Sequence, residues 1–131
     1  MKVARWLVAM GCLLLFFGGL LHSYGSAFVF RKLAASNLDG GLVGAMKGLW
    51  CSLSVESIVL SCVIFWASRL PNGRGLILLC TLIPALTAIL LYHFVGAFIG
   101  AHVFAAATVC LAIGGWLMPR GHESHPASRV W

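Results

Sequence analysis

The sequence predicts an all-α, polytopic membrane protein, a bundle of four transmembrane helices, on three observations. Hydrophobic residues make up 61% of the 131-residue chain and charged residues 9%, against roughly a quarter charged in ordinary soluble domains. The charges are also absent from long stretches: none falls between Trp6 and Phe30 or between Leu76 and Pro119, and only Glu56 falls between Gly48 and Ser68. Finally, the basic residues sit at the ends of these stretches, the orientation signal of membrane proteins. The mean hydropathy of +1.00 agrees. A crossing helix needs about 20 mainly apolar residues, so Trp6–Phe30 and Gly48–Ser68 hold one span each and Leu76–Pro119 holds two, divided near Gly96 and Gly100.

A single transmembrane domain is expected over residues 1–118. Helix 1 is expected over residues 3–27. Arg31 to Gly41 then reads as a polar connector, with Asn37, Asp39 and paired glycines as turn residues. Helix 2 follows from about Leu42 or Ala45 to Ser68 and stops at the turn Pro71-Asn72-Gly73, flanked by Arg69 and Arg74. Helix 3 is expected over residues 75–94, with Pro84 inside, which membrane helices tolerate. Helix 4 spans residues 99–118 and ends at Pro119. Residues 119–131 read as a disordered polar tail.

The net charge of +6 does not indicate nucleic acid, because the cations flank the spans and form no soluble face. With the N-terminus inside, the inner set is Lys2, Arg5, Arg69, Arg74, Arg120 and Arg129, and the outer set Arg31, Lys32 and Lys47. Six against three favours cytoplasmic N- and C-termini. Lys2 and Arg5 before an apolar run resemble a signal peptide. The run is too long for a typical h-region, so an uncleaved first helix that also directs insertion is expected. The five cysteines form no CxxC pair. Cys12, Cys62, Cys80 and Cys110 fall one per helix in the inner half, and dispersed packing thiols are a simpler account than a four-thiolate site.

Helices in lipid associate through close packing of small residues. Helix 1 carries Gly11, Leu15, Gly18, His22 and Gly25 on one face. Helix 2 has Gly40, Gly44 and Gly48 at four-residue spacing, continued by Ser52 and Glu56, with Ser54, Ser57 and Ser61 opposite. Small or polar residues on both sides predict that helix 2 is central. Helix 4 offers His102, Ala105, Ala106, Val109 and Ala112. Gly11, Gly18, Gly44 and Gly48 are the expected close contacts. Trp6, Trp50, Trp66 and Trp116 read as interfacial anchors.

Four ionisable residues lie inside spans, one per helix: His22, Glu56, His93 and His102. Such residues are costly in hydrocarbon and are functional candidates by default. Counting about 1.5 Å per residue from the inner helix ends puts the three histidines about 24–26 Å deep and Glu56 about 18 Å. All four then fall in the outer half, and a shared site is expected there. It could hold a metal such as zinc, relay protons, or lend two histidines to a haem. The alternative is structural: histidines that cap helices or bond headgroups, and a glutamate bonded to Ser52 or an imidazole. No HxxxH or HxxE pair fixes a metal. No nucleophile triad, P-loop, dinucleotide fingerprint or zincin motif is present, so enzymatic activity is the third choice.

Small multidrug resistance transporters carry a glutamate midway along the first helix, where this chain has no acid, and the third-helix motif of small fluoride channels is absent. The chain resembles the uncharacterised small four-helix membrane proteins of bacterial genomes. The resemblance rests on Leu20-Leu21-His22-Ser23, on Leu49-Trp50-Cys51-Ser52-Leu53-Ser54-Val55-Glu56, and on His93 and His102 bracketing the last hairpin. It covers most of the chain and implies an inner-membrane location without an activity. Two functions stand as expectations: binding or transport of a small molecule, proton or metal through the outer-half His/Glu cluster, or a structural or accessory subunit with no ligand of its own. Expected partners are the lipid bilayer and a second copy or another membrane protein.

Overall fold

A computed structural model describes residues 2–119 of the chain. Four helices, α1 (Lys2–Ala34), α2 (Gly40–Ala67), α3 (Arg74–Phe94) and α4 (Ile99–Trp116), follow one another through short turns. Each is long and apolar enough to cross a membrane, and no strand occurs among the described residues. Residues 120–131, where the polar tail is expected, lie outside the described residues.

The helix ends follow local chemistry. α1 continues past Ala27 to Ala34, because Arg31, Lys32, Leu33 and Ala34 are good helix formers and the two cations complement the C-terminal dipole. Arg31 and Lys32 thus belong to the last turn of α1, not to a connector. Asp39 caps α2, its Oδ1 accepting from the Gly41 N–H at 2.8 Å and the Leu42 N–H at 3.3 Å. Two such bonds satisfy donors that a helix start leaves open, so α2 begins at Gly40 rather than at Leu42 or Ala45. Gly73 closes the α2–α3 turn so tightly that a Cβ there would stand 1.8 Å from the Ala67 carbonyl oxygen. α3 runs unbroken through the buried Pro84. Gly96, at φ +95°, supplies the left-handed residue of the α3–α4 turn, a conformation glycine adopts without penalty.

In space the helices are ordered α2, α1, α4, α3. α1 packs along both α2 and α4, α4 packs along α3, and α2 meets α3 only slightly. The central helices are therefore α1 and α4, which corrects the expectation that α2 is central. The core gathers Val8, Cys12 and Leu15 of α1, Leu60, Ile64 and Ala67 of α2, Ile77 of α3, and Ala107, Leu111 and Met118 beside them. These residues all lie in the half of the bundle that holds the N-terminus of α1. The buried hydroxyls do not line a polar path. Ser57 and Thr81 donate to the Leu53 and Ile77 carbonyls of their own helices, and Ser61 to Ile58, each at 2.7 Å. Back-bonding of this kind satisfies a hydroxyl within its own helix.

The glycines divide sharply. A Cβ on Gly11 would lie 2.6 Å from Leu111 Cγ, one on Gly18 3.2 Å from Val103, and one on Gly19 2.9 Å from the Ser54 carbonyl oxygen. α1 therefore uses glycine on both flanks, toward α4 and toward α2. By contrast, Gly44 and Gly48 have nothing within 4 Å of a built Cβ, so the close contacts expected there are absent within the chain. α4 also turns differently from expectation. It buries Ala101, Ala107, Leu111, Gly114 and Gly115, while His102, Ala106 and Val109 are exposed. Gly114 and Gly115 receive Val8 and Ile77 respectively.

Candidate functional site

The four ionisable residues take separate environments. His22, on the third quarter of α1, is half-buried. Its ring lies flat on Trp50 of α2, centroids 3.8 Å apart at 16°. The Trp50 Nε1–H donates to the His22 backbone carbonyl at 3.0 Å. The stack and the hydrogen bond hold the same two residues, so the imidazole is fixed in position and tilt. Its Nε2 is buried without a hydrogen-bond partner among the described residues. A buried polar nitrogen of this kind calls for an explanation, whether a water, an ion or a functional role.

His102, at the start of α4, is exposed, and its Nδ1 meets the Tyr92 hydroxyl of α3 at 2.5 Å. The contact ties the two helices just inside their turn. His93 is exposed and stands edge-on to its neighbour Phe94, centroids 4.6 Å apart. Glu56 is exposed on α2, well inside the span on both sides. Among the described residues no three His, Cys, Asp or Glu side chains are grouped to hold a metal ion. The structure thus pairs each imidazole with an aromatic ring and does not gather the four residues expected to share a site. Depth along a helix fixes height only. Azimuth decides whether two side chains meet, and α4 presents His102 on the face opposite its packing surface.

Two residues that sequence reasoning did not connect to the site now define it. Trp50, expected as an interfacial anchor, instead joins α2 to α1 at His22. Tyr92 carries no charge or motif that marks it, and its place across a short turn from His102 is the one usable signal. The remaining anchors, Trp6, Trp66 and Trp116, are exposed at one end of the bundle, where a ring of amphipathic indoles suits a membrane–water interface.

The other chemically distinctive surface is the stretch of α2 from Gly44 to Glu56. Gly44, Gly48, Ser52 and Glu56 recur every four residues and are all exposed. Each step drifts about 40° around the helix, so the four form an oblique band. Small residues let another backbone approach, and the band ends on a carboxyl that finds no hydrogen-bond partner among the described residues. The arrangement can accept a helix and offer it a strong polar contact. No family model matches this chain, nor does any curated protein or solved structure.

Proposed function

We propose that the protein is an accessory or structural subunit of a membrane complex and that the outer half of α2 is the surface it presents to a partner transmembrane helix. The observation that carries this is the open space at Gly44 and Gly48. Close backbone approach is what drives helices together in lipid, and here the helix keeps that geometry without using it inside the chain. Glu56, exposed farther along the same band, adds a requirement, because a carboxyl within a span is costly unless paired or hydrogen-bonded. A partner helix bearing a hydrogen-bond donor or a cation at that level would meet it. The apolar core and the self-satisfied hydroxyls support the same function and not a polar transport path.

In the same proposal the protein resides in a bacterial inner membrane with both termini cytoplasmic. The lysine and arginine asymmetry and the resemblance to small bacterial four-helix proteins support that placement. Photo-crosslinking residues placed at positions 48 and 52 in native membranes test the subunit role. Adducts to one discrete species are expected, weakened by Glu56→Gln and absent when the crosslinker is moved to exposed Leu86. Crosslinking from position 48 no stronger than from position 86 would discard it.

Binding of a proton or small ligand is a second function, favoured by the orphaned His22 Nε2. Metal analysis, an absorption spectrum for haem, and titration of the His22 ring by NMR test it. A metal-free, haem-free protein whose His22 signals do not move with pH would exclude it.

A further inference from the structure

We propose that the α1–α2 seam at the end of the bundle holding Lys2 and Arg69 is a binding site for an anionic phospholipid, with a seat for the phosphate and a groove for one acyl chain. A cleft of about 590 Å³ opens there, and Lys2, Arg5 and Arg69 contribute to its wall together with Ser68. An apolar groove of about 350 Å³ is lined by Cys12, Leu13, Phe16 and Cys62. The two share Ala9 and Phe65, so they form one continuous surface, cationic at its end and hydrocarbon-like along the span. That is the polarity of a phospholipid.

The junction is shaped for this use. The Arg69 guanidinium lies over the Phe65 ring at 4.6 Å, which holds the cation at the boundary between the two parts. Arginine in this role offers a planar fork to phosphate oxygens. Arg5 and Arg69 also line a second cleft that includes Arg74, so the positive field extends across the seam. Neither described carboxylate neutralises it: Asp39 caps the far end of α2, and Glu56 lies about 17 Å along the helix from Ala67. Basic pockets between membrane helices are a recognised seat for anionic headgroups. A free phosphate would satisfy the cations but leave the apolar groove unused, which is why the lipid is the chosen source. Neither the His22 stack nor the open face of α2 takes part, so this site is independent of the function proposed above.

Native mass spectrometry of the purified protein tests the site with dioleoyl phosphatidylglycerol, dioleoyl phosphatidylcholine and inorganic phosphate as probes. One phosphatidylglycerol is expected to be retained in preference to phosphatidylcholine. Arg5→Gln and Arg69→Gln should each weaken it about fivefold. Cys62→Trp, which fills the groove and leaves every cation in place, should weaken both lipids. Lys47→Gln, at the other end of the bundle, should change nothing. Arg5, Cys62 and Arg69 are exposed, and an unchanged helical spectrum verifies that each variant folds. Equal retention of the two lipids, or retention of phosphatidylglycerol by Arg5→Gln and Arg69→Gln at the wild-type level, would overturn the site. Displacement of the lipid by inorganic phosphate at matched ionic strength would overturn it in favour of a free anion.

Discussion

Leu111 of α4 fills the notch left by Gly11 of α1. A Cβ at position 11 would stand 2.6 Å from Leu111 Cγ and 2.7 Å from its Cδ2, while Leu111 itself is fully buried. The pair sits in the core where the two central helices cross, so the backbones meet closely because one partner has no side chain.

Gly11→Val is therefore expected to destabilise the bundle by about 1–3 kcal/mol, the usual range for overpacking a tight site. Leu111→Ala should relieve part of that cost, giving a coupling detectable in a double-mutant cycle. Gly44→Val, where nothing lies within 4 Å, should change the stability of the isolated chain by less than about 0.5 kcal/mol. Denaturant unfolding in detergent micelles measures all four variants. Equal losses at positions 11 and 44 would contradict the packing described.

The difference between these glycines also marks what the sequence could disclose. Four spans were legible because the charge-free stretches match the length a bilayer demands. The α1 face was legible too, since Gly11 and Gly18 recur with a helical period. Two features were not. Spacing alone cannot tell a small-residue face used inside the chain, as at Gly18, from one left open, as at Gly48. In α4 the sequence points to the face of Ala105, Ala106 and Ala112, whereas the buried face carries Ala101, Ala107, Leu111, Gly114 and Gly115, a mixture of small and large residues. The candidate site failed to assemble for the same reason: residues on four helices can share a depth without sharing a direction.

Replacing Trp50 separates its two contributions. Trp50→Phe keeps an aromatic face for His22 but removes the hydrogen bond to the His22 carbonyl. A loss of about 0.6 kcal/mol is expected, the average for interhelical hydrogen bonds in membrane proteins. Trp50→Ala should cost more, because the stack and its buried area go as well. Thermal unfolding followed by circular dichroism checks the order, and an equal loss in both variants would mean that the stack contributes nothing.

His22→Phe tests the unpartnered nitrogen. Phenylalanine retains a ring for Trp50 and removes the buried Nε2. Stability is expected to hold within about 1 kcal/mol or to rise, since deleting an unsatisfied buried polar group removes a desolvation penalty. His22→Ala, which also loses the stack, should destabilise. A marked loss of stability in His22→Phe would show that Nε2 is satisfied in the membrane by a bound group, which the metal and haem measurements would then identify.

The folded bundle also sharpens the orientation test. Lys2, Arg5, Arg69 and Arg74 flank one end, beside the exposed Trp6, Trp66 and Trp116. At the other end, Arg31 and Lys32 occupy the last turn of α1, and Lys47 rests 5.6 Å above the Phe30 ring. Among the described residues the asymmetry is slight, and it grows only with Arg120 and Arg129 of the tail. In a cysteine-free background, Ser36→Cys should react with a membrane-impermeant maleimide applied from outside the cell. Asn72→Cys, in the turn between α2 and α3, should react only after permeabilisation. Position 36 lies between α1 and α2, outside both helices, so its labelling reports sidedness without perturbing the core. The reverse pattern would place the arginine-rich end outside, invert the topology, and move the proposed lipid seat to the outer leaflet.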